Sequence, residues 1–369
     1  MTRDLPDYVC ACGRSSAPSA GRWRCDCGGT LDLAPVPLAW NPRAGDHSLW
    51  RYRDAIAVPG RELSLGEGMT PLVDAALDGE PGVRLKLEYA SPTGSFKDRG
   101  AVMLVALARL LGADRLVADS SGNAGTAVAA YAARAGVPAE IFVPAGTSEK
   151  KLHQIRGHGA RVTVVEGTRE DTARAAAGHV ERTGAFYASH VYNPYFYEGT
   201  KTYAFELFEQ LGGRVPGTVV LPAGNGTLVI GAHLGFAALR EAGLADRVPR
   251  IVAVQAERCA PVAAAFAAGR AEVAPVAAGP TVAEGIAIAA PARGARILAA
   301  VRDTGGAVVT VSEQEVAGSH AALAARGLWV EPTAAVAYAA VRRLRAEGSP
   351  YAEGEVVAPL CGSGLKASL

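Results

Sequence analysis

Short apolar runs alternate with longer stretches of helical periodicity from about residue 84 onward. Apolar runs of this length, with β-branched residues, are typical of strands that are buried on both faces of a parallel sheet. The predicted strands are 83–87, 116–118, 140–143, 162–165, 218–221, 251–254, 308–311 and 356–360. Helical patterns lie between them, among others at 124–134, 199–210 and 228–241. This alternation predicts an α/β fold with mostly parallel sheets flanked by helices.

Composition and charge limit the classes of partner that we expect for this protein. Lys and Arg number 37 and Asp and Glu 36, so no excess of either sign points to nucleic acid or an anionic membrane. No apolar run approaches the roughly 18 residues of a membrane span. The first residues are polar and show no apolar signal region, so we expect a cytoplasmic protein.

Four of the six cysteines form two Cys-x-Cys-Gly turns near the N-terminus, at Cys10, Cys12, Cys25 and Cys27. Without a secretory signal, such a cluster reads as metal ligands more readily than as disulfides. The segment resembles a small zinc ribbon, although the usual ligand spacing is Cys-x-x-Cys. Two interpretations stay open: a structural zinc site, or two reduced turns without metal.

One lysine stands in a turn of small polar residues that reads Ser-Pro-Thr-Gly-Ser-Phe-Lys-Asp-Arg-Gly over 91–100. A helical apolar pattern follows at once, so Lys97 is expected where a helix begins. The positive end of a helix disfavours a further cation. It therefore favours the neutral amine, the form that makes a Schiff base with a carbonyl. The alternative is a solvated lysine beside Asp98 and Arg99.

Three loops rich in small residues follow predicted strands, at 119–125, 222–227 and 361–366. Ligands of parallel sheets bind at the carboxyl ends of strands. The first loop offers hydroxyls, an amide and backbone N–H groups that suit a carboxylate, although Ser and Asn are also ordinary helix caps. The second is a glycine-rich anion nest without a cation, which suits the phosphate of a bound cofactor.

A lysine, a carboxylate cradle, a phosphate nest and a neutral thiol or hydroxyl suit a cofactor with an aldehyde, a phosphate and a ring nitrogen, which is pyridoxal 5'-phosphate. The lysine motif, Ser-Ser-Gly-Asn-Ala-Gly, Gly-Asn-Gly-Thr, Val-Glu-Pro-Thr-Ala-Ala and Cys-Gly-Ser-Gly-Leu-Lys occur in that order. In these motifs the chain resembles fold type II pyridoxal-phosphate enzymes, the tryptophan-synthase-β family. It is most similar to the threonine synthases in it, over residues 8–366.

The resemblance implies a role for each matching residue. Lys97 would form the Schiff base and move protons at the substrate's α and β carbons, and Asn123 would donate to the cofactor's phenolic oxygen. The residues implied to hold the substrate carboxylate are Ser120, Ser121 and Gly122. Those implied to bind the cofactor phosphate are Gly224, Asn225, Gly226 and Thr227. Cys361 or Ser363 would face the pyridine nitrogen, where a neutral partner favours elimination or replacement over transamination.

One position departs from the family pattern. Threonine synthases commonly carry an arginine that binds the substrate phosphate in the Asn-Pro-Tyr segment, and Phe196 stands there in this chain. An aromatic ring cannot pair with a phosphate as arginine does. Another cation could stand in its place, and the candidates are Lys151, Arg156 and Lys201. Thr93, Lys151 and Lys201 are our candidate substrate-binding residues.

Three functions therefore stay open. The first is threonine synthase, which converts O-phosphohomoserine and water to threonine and phosphate. The second is elimination or replacement at the β or γ carbon of a different amino acid, as in a dehydratase or an enzyme of specialised metabolism. The third is a homologue that binds the cofactor without catalysis.

The resemblance also implies an architecture. We expect a Cys-rich ribbon-like segment at 1–35, a large cofactor-phosphate domain built from 36–87 and 191–369, and a small mobile domain at 88–190. The cofactor would lie between the two domains, whose closure would exclude water. A homodimer is the expected assembly.

Overall fold

The computed structural model describes residues 5–59, 63–75 and 82–366. Parts of the proline- and glycine-rich region before the first predicted strand, 60–62 and 76–81, lie outside these residues. The chain forms two compact units. Unit 1 comprises the described residues of Met1–Met69 and Ser91–Thr200, and unit 2 those of Thr70–Ala90 and Lys201–Ala367. The division into a large domain and a mobile domain at 88–190 stays a prediction.

Strands and helices follow the predicted alternation. The strands are β1 (Tyr8–Val9), β2 (Ser15–Ser16), β3 (Asp32–Leu33), β4 (Leu72–Asp74), β5 (Val83–Lys86), β6 (Leu116–Ala118), β7 (Ala139–Pro144), β8 (Arg161–Val165), β9 (Phe186–Tyr187), β10 (Thr218–Pro222), β11 (Arg250–Ala256), β12 (Ala307–Val311) and β13 (Val356–Pro359). The α-helices are α1 (Lys97–Leu110), α2 (Asn123–Ala135), α3 (Glu149–Gly157), α4 (Arg169–Thr183), α5 (Tyr195–Thr200), α6 (Thr202–Gln210), α7 (Thr227–Glu241), α8 (Pro261–Ala267), α9 (Gly294–Asp303), α10 (Glu313–Ala324) and α11 (Pro332–Ala346). Short 3-10 helices lie at Leu49–Ala55, Glu88–Ala90, Glu284–Ile286, Pro350–Ala352 and Gly364–Lys366.

Unit 1 contains a four-stranded parallel sheet with the order β8-β7-β6-β9. Helices follow the ends of β6, β7 and β8, so the helix N-termini and the connecting loops gather at the carboxyl edge of the sheet. The N-terminal cysteine segment adds a small antiparallel sheet with the order β2-β1-β3.

Unit 2 contains a six-stranded sheet with the order β12-β11-β10-β13-β5-β4. All neighbours are parallel except β4, which pairs antiparallel with β5 at the edge. Every residue of β10 and β13 is buried, as expected for central strands covered on both faces. The predicted α/β class with parallel sheets flanked by helices is therefore confirmed.

The predicted helix over 199–210 is wrong in one respect, because it is two helices. Helix α5 ends at Thr200 and α6 begins at Thr202, with Lys201 between them. Gly199 lies so close to α1 that a Cβ placed on it would be 1.7 Å from the Arg99 carbonyl oxygen. The break between α5 and α6 therefore lies two residues after a tight contact within unit 1.

A fully buried ion pair lies in unit 2. The Lys86 ammonium on β5 donates to Glu206 on α6 at 2.8 Å, to the Thr70 carbonyl at 2.6 Å and to Gln210 at 2.9 Å. Both charged side chains have no exposed surface. Three acceptors replace the lost water, which a buried ammonium requires.

None of the helices in the described ranges combines the length and the apolar character needed to cross a membrane.

Candidate active site

Lys97 is the first residue of α1, as the sequence predicts. Its ammonium nitrogen lies 4.5 Å from the ring centroid of Phe96 and 5.7 Å from that of Phe196. Two aromatic rings of unit 1 therefore lie close to the Lys97 amine. Rings of this kind exclude water on the sides that they cover, while the ring faces attract a cation.

The turn before Lys97 is held by Asp98. One carboxylate oxygen of Asp98 accepts a hydrogen bond from the Thr93 backbone N–H at 2.7 Å, and the other accepts from the Thr93 hydroxyl at 2.5 Å. Asp98 has no exposed surface, and Thr93 is also buried. Hydrogen bonds to a charged acceptor are stronger than neutral ones. The residue next to the lysine thus fixes the candidate substrate residue Thr93.

The Ser120–Asn123 turn joins β6 to α2. Gly122 precedes the helix as its N-cap, Asn123 is the first helical residue, and the Gly122 N–H donates to the Ser120 hydroxyl at 3.4 Å. A Cβ on Gly125 would lie 1.8 Å from the Ser120 carbonyl oxygen, so the turn closes tightly behind its first serine. A Cβ on Gly122 would have no neighbour within 4 Å, which leaves open space in front of the turn.

Two charged or titratable residues at the same sheet edge were missed by sequence reasoning. His190 follows β9, and Arg169 begins α4 after β8. Burial, followed by the charges of Lys97 and Arg169, holds the pKa of His190 well below its usual range, so its imidazole is neutral. Applying the strand-end rule to the loop after 162–165 would have found Arg169. Strand β9 has only two residues, too few for a periodic signal.

Arg169 is exposed, and within the described ranges it makes no hydrogen bond or ion pair. Its charge opposes the rise that burial causes in the pKa of Asp119, the residue before the Ser120–Asn123 turn. Arg169 therefore acts electrostatically on both Asp119 and His190. It is an available cation at the carboxyl edge of the unit 1 sheet.

Phe196 lies in α5 with no exposed surface. Its ring centroid is 6.0 Å from that of His190. The candidate replacement cations named from the sequence differ in position: Lys151 is in the first turn of α3, Lys201 separates α5 from α6, and Arg156 pairs with Glu149 at 2.5 Å on the surface.

The glycine-rich loop of unit 2 runs from the end of β10 into α7. Gly226 has a positive φ of 71°, a conformation that favours glycine, and Thr227 opens the helix. A Cβ on Gly224 would be 2.9 Å from the Ile286 Cα, and one on Gly226 would be 2.3 Å from the Ile297 side chain. The packing therefore requires glycine at both positions of this loop, which leads into a helix N-terminus, the kind of place where phosphates bind.

The C-terminal loop of unit 2 contains Cys361 and Ser363. Cys361 is buried, and its thiol lies 4.0 Å from the Pro359 carbonyl oxygen. The Ser363 hydroxyl accepts the Leu365 N–H at 3.3 Å, and Ser363 also forms a bridge with Val330.

The four N-terminal cysteines converge. Their sulfur atoms all lie within 4.8 Å of one another, with Cys10 to Cys27 and Cys12 to Cys25 each at 3.6 Å. Sulfurs at about 2.3 Å from a tetrahedral zinc ion would be about 3.8 Å apart. A hydrogen bond from the Cys27 backbone is the main cause that lowers the pKa of Cys25 to about 7, toward the thiolate that binds metal. The tight Cys-x-Cys spacing is therefore compatible with a four-sulfur site.

Residues 63–362 match the family model described as pyridoxal-phosphate dependent enzyme. The chain belongs to this family. Two of the proteins to which this chain is similar are threonine synthases. That of Methanocaldococcus jannaschii is 31% identical over 370 residues, 96% of this chain and 91% of the relative. That of Methanosarcina acetivorans is 34% identical over 303 residues, 80% of this chain and 75% of the relative.

Solved structures agree with this assignment to the pyridoxal-phosphate dependent enzymes. Maize serine racemase superposes with a TM-score of 0.71 over 81% of this chain and 89% of that one; at 23% identity it shows the fold alone. A threonine deaminase from T.th. is 30% identical, with a TM-score of 0.69 over 81% and 94% of the two chains. The predicted fold type II architecture is confirmed.

The residues present fit the family's cofactor, pyridoxal phosphate. Unit 1 offers a lysine amine at a helix start and open space in front of Gly122. Unit 2 offers a glycine loop at the N-terminus of α7 and the buried thiol of Cys361. These are the donors that an aldehyde, a phosphate and a pyridine nitrogen need.

Proposed function

We propose that this enzyme is a threonine synthase, a lyase that converts O-phosphohomoserine and water to threonine and inorganic phosphate. The observation that carries the proposal is the similarity to threonine synthases at 31–34% identity, in one case over 96% of the chain. Lys97 at the start of α1, next to the Thr93 turn, supports it with the required amine.

Each candidate residue has one task in this reaction. Bound pyridoxal phosphate supplies the electron sink that acidifies the substrate's α and β carbons. Lys97 would hold the cofactor at its aldehyde and would carry protons to and from these carbons. Asn123 donates a hydrogen bond to the phenolic oxygen of the cofactor. The substrate carboxylate is held by Ser120, Ser121 and Gly122.

The phosphate of the cofactor is bound by the backbone of the glycine loop, Gly224, Asn225, Gly226 and Thr227. We assign the pyridine nitrogen to Cys361, because its side chain is buried whereas Ser363 is partly exposed. A thiol is a weak hydrogen-bond donor, so it leaves the nitrogen largely unprotonated. This limits charge delocalisation and suits elimination and water addition.

The substrate's own phosphate needs a cation because Phe196 supplies none. Thr93, Lys151 and Lys201 remain our candidates for substrate binding. To these we add Arg169, which is exposed at the carboxyl edge of the unit 1 sheet and makes no ion pair within the described residues. A guanidinium group binds phosphate oxygens in a bidentate manner.

A second function is favoured by one observation, the full burial of Phe196 beside Lys97. An apolar ring near the reactive amine suits a substrate whose leaving group carries less charge than phosphate. Elimination or replacement on another amino acid is therefore the alternative reaction. A homologue that binds the cofactor without turnover is the third outcome.

Purified enzyme incubated with O-phosphohomoserine decides among these functions. Stoichiometric release of phosphate and formation of threonine are expected. Turnover of serine, threonine, O-phosphoserine or O-acetylhomoserine instead, without phosphate release from O-phosphohomoserine, would establish the alternative. No turnover of any of these, with an intact cofactor band, would indicate a binding homologue.

The cofactor assignment of Lys97 has its own test. Lys97→Ala should remove the visible absorbance that borohydride quenches in the wild type and should abolish turnover. Arg109→Ala, an exposed change at the other end of the same helix, should leave both unchanged. Retention of the band in Lys97→Ala would refute the assignment.

We further propose that Cys10, Cys12, Cys25 and Cys27 hold a structural zinc ion. One zinc per chain in purified protein, lost in Cys25→Ser, supports this.

We also propose a cytoplasmic homodimer without nucleic-acid or membrane partners. Light scattering should give twice the chain mass.

A further inference from the structure

Each Cys-x-Cys turn is preceded by an aromatic residue at the same offset. Tyr8 stands two residues before Cys10, and Trp23 stands two residues before Cys25. Both rings are buried, with 1% of Tyr8 and 5% of Trp23 exposed. Each Cys-x-Cys turn thus ends in an exposed cysteine, Cys12 or Cys27, and is preceded by a buried aromatic anchor.

Both anchors contact one stretch of the chain, residues 187–195, which we call the anchor segment. Trp23 packs edge-on against Tyr187 at 5.2 Å and against Tyr192 at 5.1 Å, measured between ring centroids. Tyr8 packs edge-on against Tyr195 at 5.9 Å. Edge-to-face pairs at these distances are favourable beyond the area that they bury.

Two further contacts fix the same stretch. The Tyr195 hydroxyl donates to the Pro6 carbonyl at 2.9 Å, just before β1. The Trp23 ring also joins the core cluster of Val117, Phe142, Ala176, Val180, Ala185 and Tyr187. The ribbon is therefore part of the core of unit 1, at the sheet whose edge carries the Ser120–Asn123 turn.

The anchor segment carries site residues. His190 lies inside it, and Phe196 follows it directly. The Phe196 ring packs on Gly100, one turn after Lys97 on α1, and it lies 5.7 Å from the Lys97 nitrogen. A shift of the anchor segment is therefore transmitted to the aromatic surface beside the reactive amine.

We propose that the cysteine ribbon positions residues of the site. In this proposal Tyr8 and Trp23 are positioning residues that hold His190 and Phe196 in place beside Lys97. A metal ion bound by the four cysteines would keep the ribbon itself rigid. The inference rests on the proposed metal site and on the proposed role of Lys97. A metal ion bound by both Cys-x-Cys turns would fix the distance between Tyr8 and Trp23, because each of them is only two residues from a cysteine ligand.

The test compares three variants of the cofactor-loaded enzyme. Trp23→Leu removes one ring and keeps an apolar side chain, Trp23→Phe restores an edge-to-face partner, and Cys27→Ser removes an exposed ligand. Arg22→Ala, which breaks an exposed ion pair with Asp26 within the ribbon, is the control. The readouts are metal content, hydrogen exchange of peptides covering 187–200, circular dichroism of the cofactor band, and KM and kcat.

Trp23→Leu is expected to keep its metal while exchange in 187–200 rises and the cofactor dichroism changes. Catalytic efficiency should fall about tenfold to a hundredfold, the scale seen for misplaced groups, and Trp23→Phe should recover most of it. Cys27→Ser should lose metal and show the same local rise in exchange. The control should match the wild type in every readout.

Three outcomes would overturn the inference. The first is wild-type exchange and dichroism in a Trp23→Leu protein. The second is wild-type protein without bound metal, and the third is exchange in Cys27→Ser that rises equally in all peptides. Exchange and dichroism do not depend on the substrate, so they remain decisive even if O-phosphohomoserine is not turned over and the proposed reaction fails.

Discussion

The ring of Phe196 occupies the space that a side chain at Gly100 would need. A Cβ on Gly100 would lie 2.4 Å from two carbons of the ring. Helix α1 therefore approaches α5 through a glycine and a phenylalanine that are complementary in size. Gly100 is three residues after Lys97, and the same Phe196 ring lies 5.7 Å from the Lys97 nitrogen.

Gly100→Ala should destabilise the protein by about 1–3 kcal/mol through overpacking. Phe196→Ala alone should cost about 3–5 kcal/mol through the cavity that it leaves. In the double variant the methyl group enters this cavity, so the combined loss should be clearly smaller than the sum of the two. Urea denaturation of the four proteins measures the coupling.

Gly178→Ala is the matched control, since it lies within α4 and its new Cβ would meet only the end of the Arg182 side chain. This change should stabilise by about 0.5–1 kcal/mol, from helix propensity. Strict additivity of Gly100→Ala and Phe196→Ala would show that the two residues do not compete for one space.

Asp98→Asn should loosen the turn before the reactive lysine. The charged carboxylate accepts both the N–H and the hydroxyl of Thr93, and bonds to a charged group contribute about 1.5–3 kcal/mol each. We expect faster hydrogen exchange at 91–96 and a higher KM, with a smaller effect on kcat. Thr93→Val, which removes only the hydroxyl bond, should lie between Asp98→Asn and the wild type. Unchanged exchange at 91–96 in Asp98→Asn would contradict this role.

His190 should make stability depend on pH. Its pKa is held below the usual range in the folded state, so between that value and about 6.5 only the unfolded chain binds the proton. The contribution of His190 to the free energy of unfolding is fully present above about pH 6.5. It is lost as the pH falls toward the pKa of His190 in the folded protein. His190→Asn should reduce the slope of unfolding free energy against pH by up to about 1.4 kcal/mol per pH unit.

Exposed His153 provides the comparison for this slope. His153→Asn should follow the wild-type curve across the same pH range, since an exposed side chain is surrounded by water in the folded and the unfolded chain alike. An unchanged slope in His190→Asn would mean that the buried imidazole is protonated in the folded protein.

Lys86→Met should be among the most damaging single changes in unit 2. It leaves the Glu206 carboxylate buried without its cation, at a cost of about 3–5 kcal/mol. The double variant Lys86→Met with Glu206→Leu should recover most of this loss, because two apolar side chains of similar volume need no compensation. Thermal unfolding measures both.

Arg84→Ala is the surface counterpart on the same strand. It breaks a partly exposed ion pair with Glu355 at 3.1 Å and should cost less than about 1 kcal/mol. Equal losses in Arg84→Ala and Lys86→Met would show that burial does not govern the Lys86 pair.

Each strand predicted from an apolar run is present in the structure, including the edge strands β8 and β12, which are only partly buried. The run at 116–118 is β6 to the residue, because every position there is apolar and buried. Helix α1 begins at Lys97 as expected, since a polar turn precedes an apolar helical pattern. Strand β9 was not predicted because two residues carry no period.

Long-range packing explains the rest of what was missed. Nothing local in the sequence shows that Trp23 lies in the core cluster of unit 1, or that His190 is kept neutral by burial and by Lys97. The Cys-x-Cys spacing of Cys10 and Cys12 departs from the usual ligand spacing, yet the convergence of the two turns brings all four sulfurs together. These features depend on residues far apart in the chain.

The strand order of unit 2 has a consequence for synthesis on the ribosome. Strand β13, close to the C-terminus, lies between β10 and β5, which are made much earlier. The four-stranded sheet of unit 1 has all its strands once Tyr187 has emerged, whereas the sheet of unit 2 stays in two pieces until β13 has been made. A chain that stalls before β13 would expose the edges of β5 and β10, which are open to pairing with other chains.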